Sequence, residues 1–436
     1  MWGKKIGTVA AIAAVLCGFT VPAQAADQHH TGTLPDGATW VADVPDGWNG
    51  TIILYSHGFG PLTAQDAPDD ATRDALLDRG YALVGSSYSG PSWWALDSAV
   101  RDQFDSLRAL ENLIGQPRRT LAWGTSMGGL VSALESEDGG HRIDGTLTTC
   151  GLVAGALNLD DYQLNGEYAL SHLLAPDVPV KLVNYDSTAD ATAAAATLAG
   201  VVGGAQASPQ GQARTALGAA LFNAPTWFTG ATPPADYHEQ EAQQAQQLTS
   251  FVLGFMMTGR YQVELAAGGN SSGTAGVDYR AVFARSSHAA QVRALYREAG
   301  LDLDADLAKL TRDANIHADP VATVRLARTS MATGRLRVPE LDIHTVADQL
   351  VPVEQENWYG HQVAAAGSAS RLWQAYVQAS GHCAFTTAET LAALNALEHR
   401  VQTGQWDGET EPAALNAATG GTGRYVDFRV PPLVGA

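Results

Sequence analysis

Gly124-Thr125-Ser126-Met127-Gly128 is a G-x-S-x-G sequence, followed by Gly129. Its setting gives it chemical meaning, because a short apolar run (120–123) precedes it and a helical pattern (126–135) follows. A serine on so sharp a strand-to-helix turn projects its hydroxyl from the edge of a sheet, and the glycines are needed where neighbouring chain passes too close for side chains. The start of a helix also offers free amides and a dipole that favour developing negative charge. Ser126 is therefore the candidate nucleophile. A plain Gly-rich turn is the alternative, and the strand and helix on either side argue against it.

A serine hydroxyl is a poor nucleophile at neutral pH and needs a base. Ser380-Gly381-His382 follows an apolar run at 371–377 and precedes a helical segment at 384–401, a combination no other histidine has. His57, His344 and His361 read more simply as turn, strand-end and surface residues. Asp348 follows the run 340–344 and precedes a helix that begins near Pro352, so it is the candidate acid that fixes the imidazole tautomer. Asp342 lies inside that run, and Asp319 lies far from any core strand. Two backbone amides must then hold an oxyanion: Met127, directly after the serine, and Phe59, from His57-Gly58-Phe59-Gly60.

These residues require a frame that brings them to one edge. Apolar runs at 51–56, 81–87, 120–123, 143–150, 340–344 and 371–377 read as strands, with helical patterns at 67–79, 95–114, 126–135 and 384–401. Strand 39–44 alternates, and 425–430 is a possible final strand. Strands alternating with helices imply right-handed crossovers and a mainly parallel sheet with helices on both faces. The alternation stops after about 155 and resumes near Pro339. The expected organisation is a core at 26–155 and 337–436, with a large, mostly helical cap insertion at 156–336. Tyr88, Trp93 and Trp94, after the second core strand, are candidates to line a substrate pocket. Phe255, with Phe251 or Met256, could join them from the insertion.

Lys4 and Lys5, an apolar run of about 14 residues (6–19) and the small-residue site Ala23-Gln24-Ala25 read as a secretory signal peptide cut after Ala25. Leu16 before Cys17 is too large for a lipid-attachment site. Removing residues 1–25 takes away two lysines and no acid, so the net charge moves from −19 to −21, which speaks against a nucleic-acid partner. No later stretch is long enough to span a bilayer. Metal-ligand spacings, phosphate loops and dinucleotide glycine patterns are absent from the sequence, so no cofactor or metal is implied. The cysteines left after processing, Cys150 and Cys383, form an even pair in an oxidising compartment and read first as one disulfide.

The order, spacing and contexts of these motifs resemble the α/β-hydrolase superfamily over about 39–155 and 338–402. The resemblance implies an α/β fold and a Ser126–Asp348–His382 triad acting through an acyl-enzyme. A cysteine directly after the catalytic histidine is similar to the tannase and feruloyl esterase group, in which a second cysteine precedes the serine and pairs with it. Here Thr125 holds that place. Cys150 ends the strand after the nucleophile helix, at the same sheet edge as Cys383, so a Cys150–Cys383 disulfide is expected, with two separate buried thiols as the alternative. The function expected is a secreted carboxylic ester hydrolase acting on a small-molecule or polymer ester. An exported peptidase, with Asp160, Asp161 or Glu167 holding a free amine, is the second reading, and an acyltransferase or cyclase the third. A binding protein on an inactive scaffold would not need all three triad positions filled in order.

Overall fold

The computed structural model describes residues 27–138 and 141–435; the expected signal peptide, Cys17 included, lies outside them. Nine strands form one sheet in the order β1-β2-β4-β3-β5-β6-β7-β8-β9. They are β1 (Gln28–Thr33), β2 (Thr39–Val44), β3 (Thr51–Ser56), β4 (Ala82–Ser86), β5 (Arg119–Thr125), β6 (Gly145–Thr149), β7 (Glu340–Ala347), β8 (Leu372–Ser380) and β9 (Tyr425–Val426). From β4 through β8 every neighbouring pair is parallel, while β1, β2 and β9 pair antiparallel at the two edges.

Strand β3 is buried along its whole length, as a continuous apolar run in a doubly covered sheet must be. Its side chains alternate between two cores. Ile52 and Leu54 meet Phe104, Leu107 and Leu110 of α2 (Leu96–Ile114). Ile53 and Tyr55 face a second layer with Leu76 of α1 (Asp70–Leu77) and Leu391, Leu394 and Leu397 of the helix that follows β8. Helix α3 (Met127–Asp138) packs between β5 and β6. Strand order, the parallel pairing from β4 through β8 and the serine turn between β5 and α3 together make this an α/β-hydrolase fold.

Between β6 and β7 the chain builds α4 (Gly155–Leu174), α5 (Thr188–Ala205), α6 (Pro209–Leu221), α7 (Tyr237–Gln247), α8 (Leu253–Ala267), α9 (Tyr279–Ala284), α10 (Ala289–Glu298), α11 (Leu303–Asp313) and α12 (Pro320–Thr329). A π-helical turn, Leu248–Val252, joins α7 to α8. These helices enclose an apolar core of their own, centred on Leu164, Leu170, Leu217, Leu253 and Leu295. After β7 come α13 (Glu354–Ala365), then β8, α14 (Thr387–Thr403) and α15 (Pro412–Ala418).

The expected core elements are present, with shifted ends. Helix α1 starts only at Asp70, because the Asp69 side chain caps it by accepting from the Thr72 amide. Helix α14 starts at Thr387 rather than 384, where Thr386 and Glu389 form a reciprocal capping box. Strands β7 and β8 each run three residues farther than expected, and the last strand is only two residues long. Strand β1 had no apolar signal, since its side chains lie mostly in solvent and it is held by backbone pairing to β2. Among the described residues no helix is long and apolar enough to cross a membrane.

Candidate active site

Ser126 sits at φ 59°, in the left-handed region that an L-residue occupies at a cost. The neighbouring glycines explain how such a turn fits. A Cβ on Gly124 would lie 1.8 Å from the Gly128 carbonyl oxygen, and one on Gly128 would lie 1.9 Å from that of Ser56. Tyr88, Cys150 and Cys383 also have positive φ, at 60°, 48° and 53°. All three follow strand ends at the same sheet edge as Ser126, so backbone strain is concentrated there.

His382 Nε2 lies 2.9 Å from Ser126 Oγ, and His382 Nδ1 lies 2.8 Å from Asp348 Oδ2. Asp348 is 1% exposed, and its Oδ1 accepts from the amides of Leu350 and Val351, each at 2.9 Å. Burial alone would raise its pKa, but the bond and charge of His382, helped by His344, hold it below the usual carboxylate range. The β7–β8 pairing slips between Thr345 and Ala347, a bulge just before the strand ends that carry Asp348 and His382. Gly381, at φ 125°, makes the turn into His382 while its amide bonds Ala347 O.

The Cys150–Cys383 disulfide closes beside this turn, with Cα atoms 5.3 Å apart. Cys383 Sγ lies 3.4 Å from His382 Nε2. Cys150, His382 and Cys383 are close enough to suggest a metal site, but both sulfurs are consumed in the disulfide and neither is a thiolate.

Met127 is the first residue of α3, so its amide is one of the donors a helix N-terminus leaves without an intrahelical acceptor. Gly58 brings the loop after β3 against the serine, since a Cβ there would lie 3.2 Å from Ser126 Cβ. Phe59 follows Gly58 in this loop, and its ring packs edge-on against Trp93 and Phe255, with centroids at 5.9 and 5.7 Å.

Ser126 and His382 open into a narrow, mainly apolar cavity of about 40 Å³. The core supplies Phe59, Trp94, Leu152, Leu350 and Val351, α4 supplies Leu159, Asp160 and Gln163, and α8 supplies Phe255, Met256, Gly259, Arg260 and Val263. Of the expected pocket residues, Trp94, Phe255 and Met256 line it. Trp93 does not: it is 43% exposed and packs against the Phe59 ring rather than among the lining residues. Tyr88 does not line it either. Its ring stacks on His57 at 4.2 Å and its hydroxyl donates to His57 O at 3.0 Å, so it braces the loop from beneath. Phe251 lies outside, stacked on Phe228.

The competing histidines are all accounted for. His57 is buried under Tyr88, and burial lowers its pKa. His361 is exposed on α13. His344, expected as a strand end, is more than that. Its Nε2 faces Val351 O at 2.8 Å and its Nδ1 faces Glu356 Oε1 at 3.0 Å, so both nitrogens meet acceptors, and Nε2 stands 3.7 Å from Asp348 Oδ2. Burial opposes its charge, yet the Glu356 contact and the Asp348 charge raise its pKa.

Sequence reasoning missed Arg260. The only signal was one charge inside the apolar stretch 251–263. Its guanidinium reaches Glu167 Oε2 at 3.2 Å and Ser272 Oγ at 2.9 Å, and Asp160 Oδ1 lies 3.9 Å away. The acids expected to hold an amine thus meet an internal cation first.

No family model matches the chain. Over 433 residues it is 27% identical to o-phthalyl amidase of Xanthobacter agilis, covering 93% of this chain and 94% of that one. Solved structures that resemble it include feruloyl esterase B from Aspergillus oryzae (14% identity, 87% and 80% of the two chains, TM-score 0.39). Another is the rice cell wall degrading esterase LipA from Xanthomonas oryzae (12%, 86% and 87%, TM-score 0.37). Acylaminoacyl peptidase from Pyrococcus horikoshii also resembles it (10%, TM-score 0.37), and there the match covers 82% of this chain but only 38% of the other. The strand order and the serine turn, rather than these distant likenesses, identify the architecture as that of an α/β-hydrolase.

Proposed function

We propose that the protein is a serine hydrolase that cleaves esters, and amides as a second class, of compact aromatic or apolar carboxylic acids through an acyl-enzyme. The observation that carries this is the unbroken Asp348–His382–Ser126 hydrogen-bond chain ending in an apolar cavity. Ser126 Oγ attacks the carbonyl carbon as His382 Nε2 takes its proton, and Asp348 holds Nδ1–H and stabilises the imidazolium. The Met127 and Phe59 amides donate to the oxyanion. His382 then protonates the leaving group, and water repeats the sequence to release the acid.

The insertion at 156–336 acts as the cap, since α4 and α8 wall the cavity and limit its size. The disulfide fits export into an oxidising compartment. The amide class rests on the full-length likeness to an o-phthalyl amidase, whose named acyl group is a benzoyl unit bearing a second carboxyl. The aminopeptidase reading is weakened, because Asp160 and Glu167 are engaged by Arg260.

The test is turnover of 4-nitrophenyl esters from acetate to palmitate, with the matched benzoyl and aminoacyl 4-nitroanilides, by wild type and Ser126→Ala. Short and aromatic acyl groups should be cleaved and palmitate should not, with mass spectrometry of a quenched reaction locating the acyl group on Ser126. Equal rates for wild type and Ser126→Ala would overturn the reading. Aminoacyl anilides turned over faster than esters would make it a peptidase.

A further inference from the structure

We propose that Arg260 is the anchor for a second carboxylate on the acyl part of the substrate, so that the cavity selects half-esters and half-amides of compact dicarboxylic acids. The inference rests on the hydrolase reading only in taking Ser126 as the end of the cavity where the scissile carbonyl sits.

Arg260 has 1% of its side chain exposed, yet it lines the same cavity as Ser126 and His382. Its Nη1 donates to Ser272 Oγ and to the Asp160 carbonyl oxygen at 3.3 Å, and its Nη2 donates to Glu167 Oε2. Its Nε–H has no acceptor. A buried donor on a permanent cation that is left unpaired is costly, and the cost falls when an anionic oxygen fills the position. The surrounding wall includes Leu159, Met256 and Val263 with Asp160 and Gln163 among them, and the guanidinium is the one permanent cation in it, the group that would fix the orientation of an anionic acyl group.

Asp160 Oδ1 and Glu167 Oε1 accept no hydrogen bond either, which raises the opposite possibility of a bound ammonium. Charge argues against it. Arg260 stays cationic, whereas burial pushes Glu167 and Asp161 up to about 7 and raises Asp160 and Glu264 as well. The groups facing Arg260 are Asp160 and Glu167 from α4, Glu264 from α8 and Tyr185 from the turn before α5, with Asp161 beside them. The acids can take up protons as a carboxylate arrives, but the guanidinium cannot lose one to admit an ammonium. Carboxylate binding should therefore weaken as pH rises through neutrality.

Calorimetric titration of Ser126→Ala protein with phthalate, benzoate and benzylamine tests this without any turnover, so a failed hydrolase reading and a failed carboxylate site give separate results. Phthalate should bind at least about tenfold more tightly than benzoate, a difference of about 1.4 kcal/mol, and benzylamine should bind no better than benzoate. Arg260→Gln in the same background should bring phthalate down to the level of benzoate. Should that variant fail to fold, Glu167→Gln keeps the test open, because removing the competing carboxylate should tighten phthalate and flatten its pH dependence. Equal binding of phthalate and benzoate, tighter binding of benzylamine, or weaker phthalate binding in Glu167→Gln would each overturn the proposal.

Discussion

Asp348 accepts from His382 Nδ1 and from two backbone amides, so its carboxylate is fixed before any substrate arrives. Replacing it with Asn presents an NH₂ group and favours the wrong imidazole tautomer. We expect Asp348→Asn to lower kcat by about 10⁴-fold, with product binding unchanged by titration calorimetry. His344 stands behind that carboxylate with both ring nitrogens against acceptors, and the Glu356 contact and Asp348 charge raise its pKa. His344→Gln removes a ring whose protonated form Glu356 and Asp348 favour, so Asp348 loses that stabilisation of its negative charge, and the acid limb of the kcat/KM profile should move to higher pH. A residue with only a packing role would lower kcat/KM at all pH values and leave the limb in place. Ser126, Asp348 and His382 were legible because each follows a recognisable strand end. Arg260 and His344 were not, because their partners, Glu167 and Glu356, become neighbours only once helices pack. Tyr88 was misread for a related reason: its position after a strand suggested the pocket, and the stacking with His57 turned its ring below the loop.

The elements that hold the site meet at two places, the β7–β8 bulge and the disulfide. The disulfide ties the turn after β6 to the His382 loop across a sequence separation of 233 residues. A cross-link closing so long a loop contributes about 2–4 kcal/mol. We therefore expect Cys150→Ser/Cys383→Ser to melt several degrees lower in calorimetry. It should also lose kcat more than KM, since the loosened group is His382 rather than the cavity wall. An unchanged kcat would mean that the bulge and the Gly381–Ala347 bond hold the loop alone. The sequence placed the core strands well because each is a short apolar run between turn signals. The insertion was readable as helical, and Phe255 and Met256 as part of the cavity wall, but the share of that wall taken by Gly259, Arg260 and Val263 was not. Its α7–α8 pair contains a π turn one helical turn before Phe255, and that extra residue in the spiral sets which side chains face Ser126. Periodicity counted at 3.6 residues cannot register such a change of phase.

At the scale of the whole molecule, the insertion is fastened to the core by the C-terminal tail, whose Leu433 joins the core cluster and whose Val434 joins that of the insertion. The tail offered no periodic signal in the sequence, because its contacts are with residues more than a hundred positions away, such as Asn223 and Arg285. The chain is acidic, with a net charge of −19, and several acids are buried inside it. Burial raises Asp66, Glu167, Glu241, Glu340 and Glu354 to about 7. Each has a folded pKa above its unfolded value, so between about pH 4.5 and 7 the folded state binds more protons than the unfolded chain. Stability from these groups is complete below the unfolded pKa and is lost as pH rises toward the folded one. One such group displaced by a single unit is worth about 1.4 kcal/mol, or about 2 °C of melting temperature in a chain of this length. Wild-type protein should therefore melt several degrees higher at pH 5 than at pH 8, whereas the proposed triad needs His382 neutral and favours the higher pH for turnover. Glu340→Gln should reduce the difference by removing one such titration; Ser136 donates to Oε2 and Tyr359 to Oε1, so one hydroxyl keeps an oxygen acceptor and the other must turn to accept from the new NH₂. Scanning calorimetry of wild type and Glu340→Gln from pH 5 to 8 measures the effect, and a melting temperature that rises with pH would show that these acids are ionised within the fold.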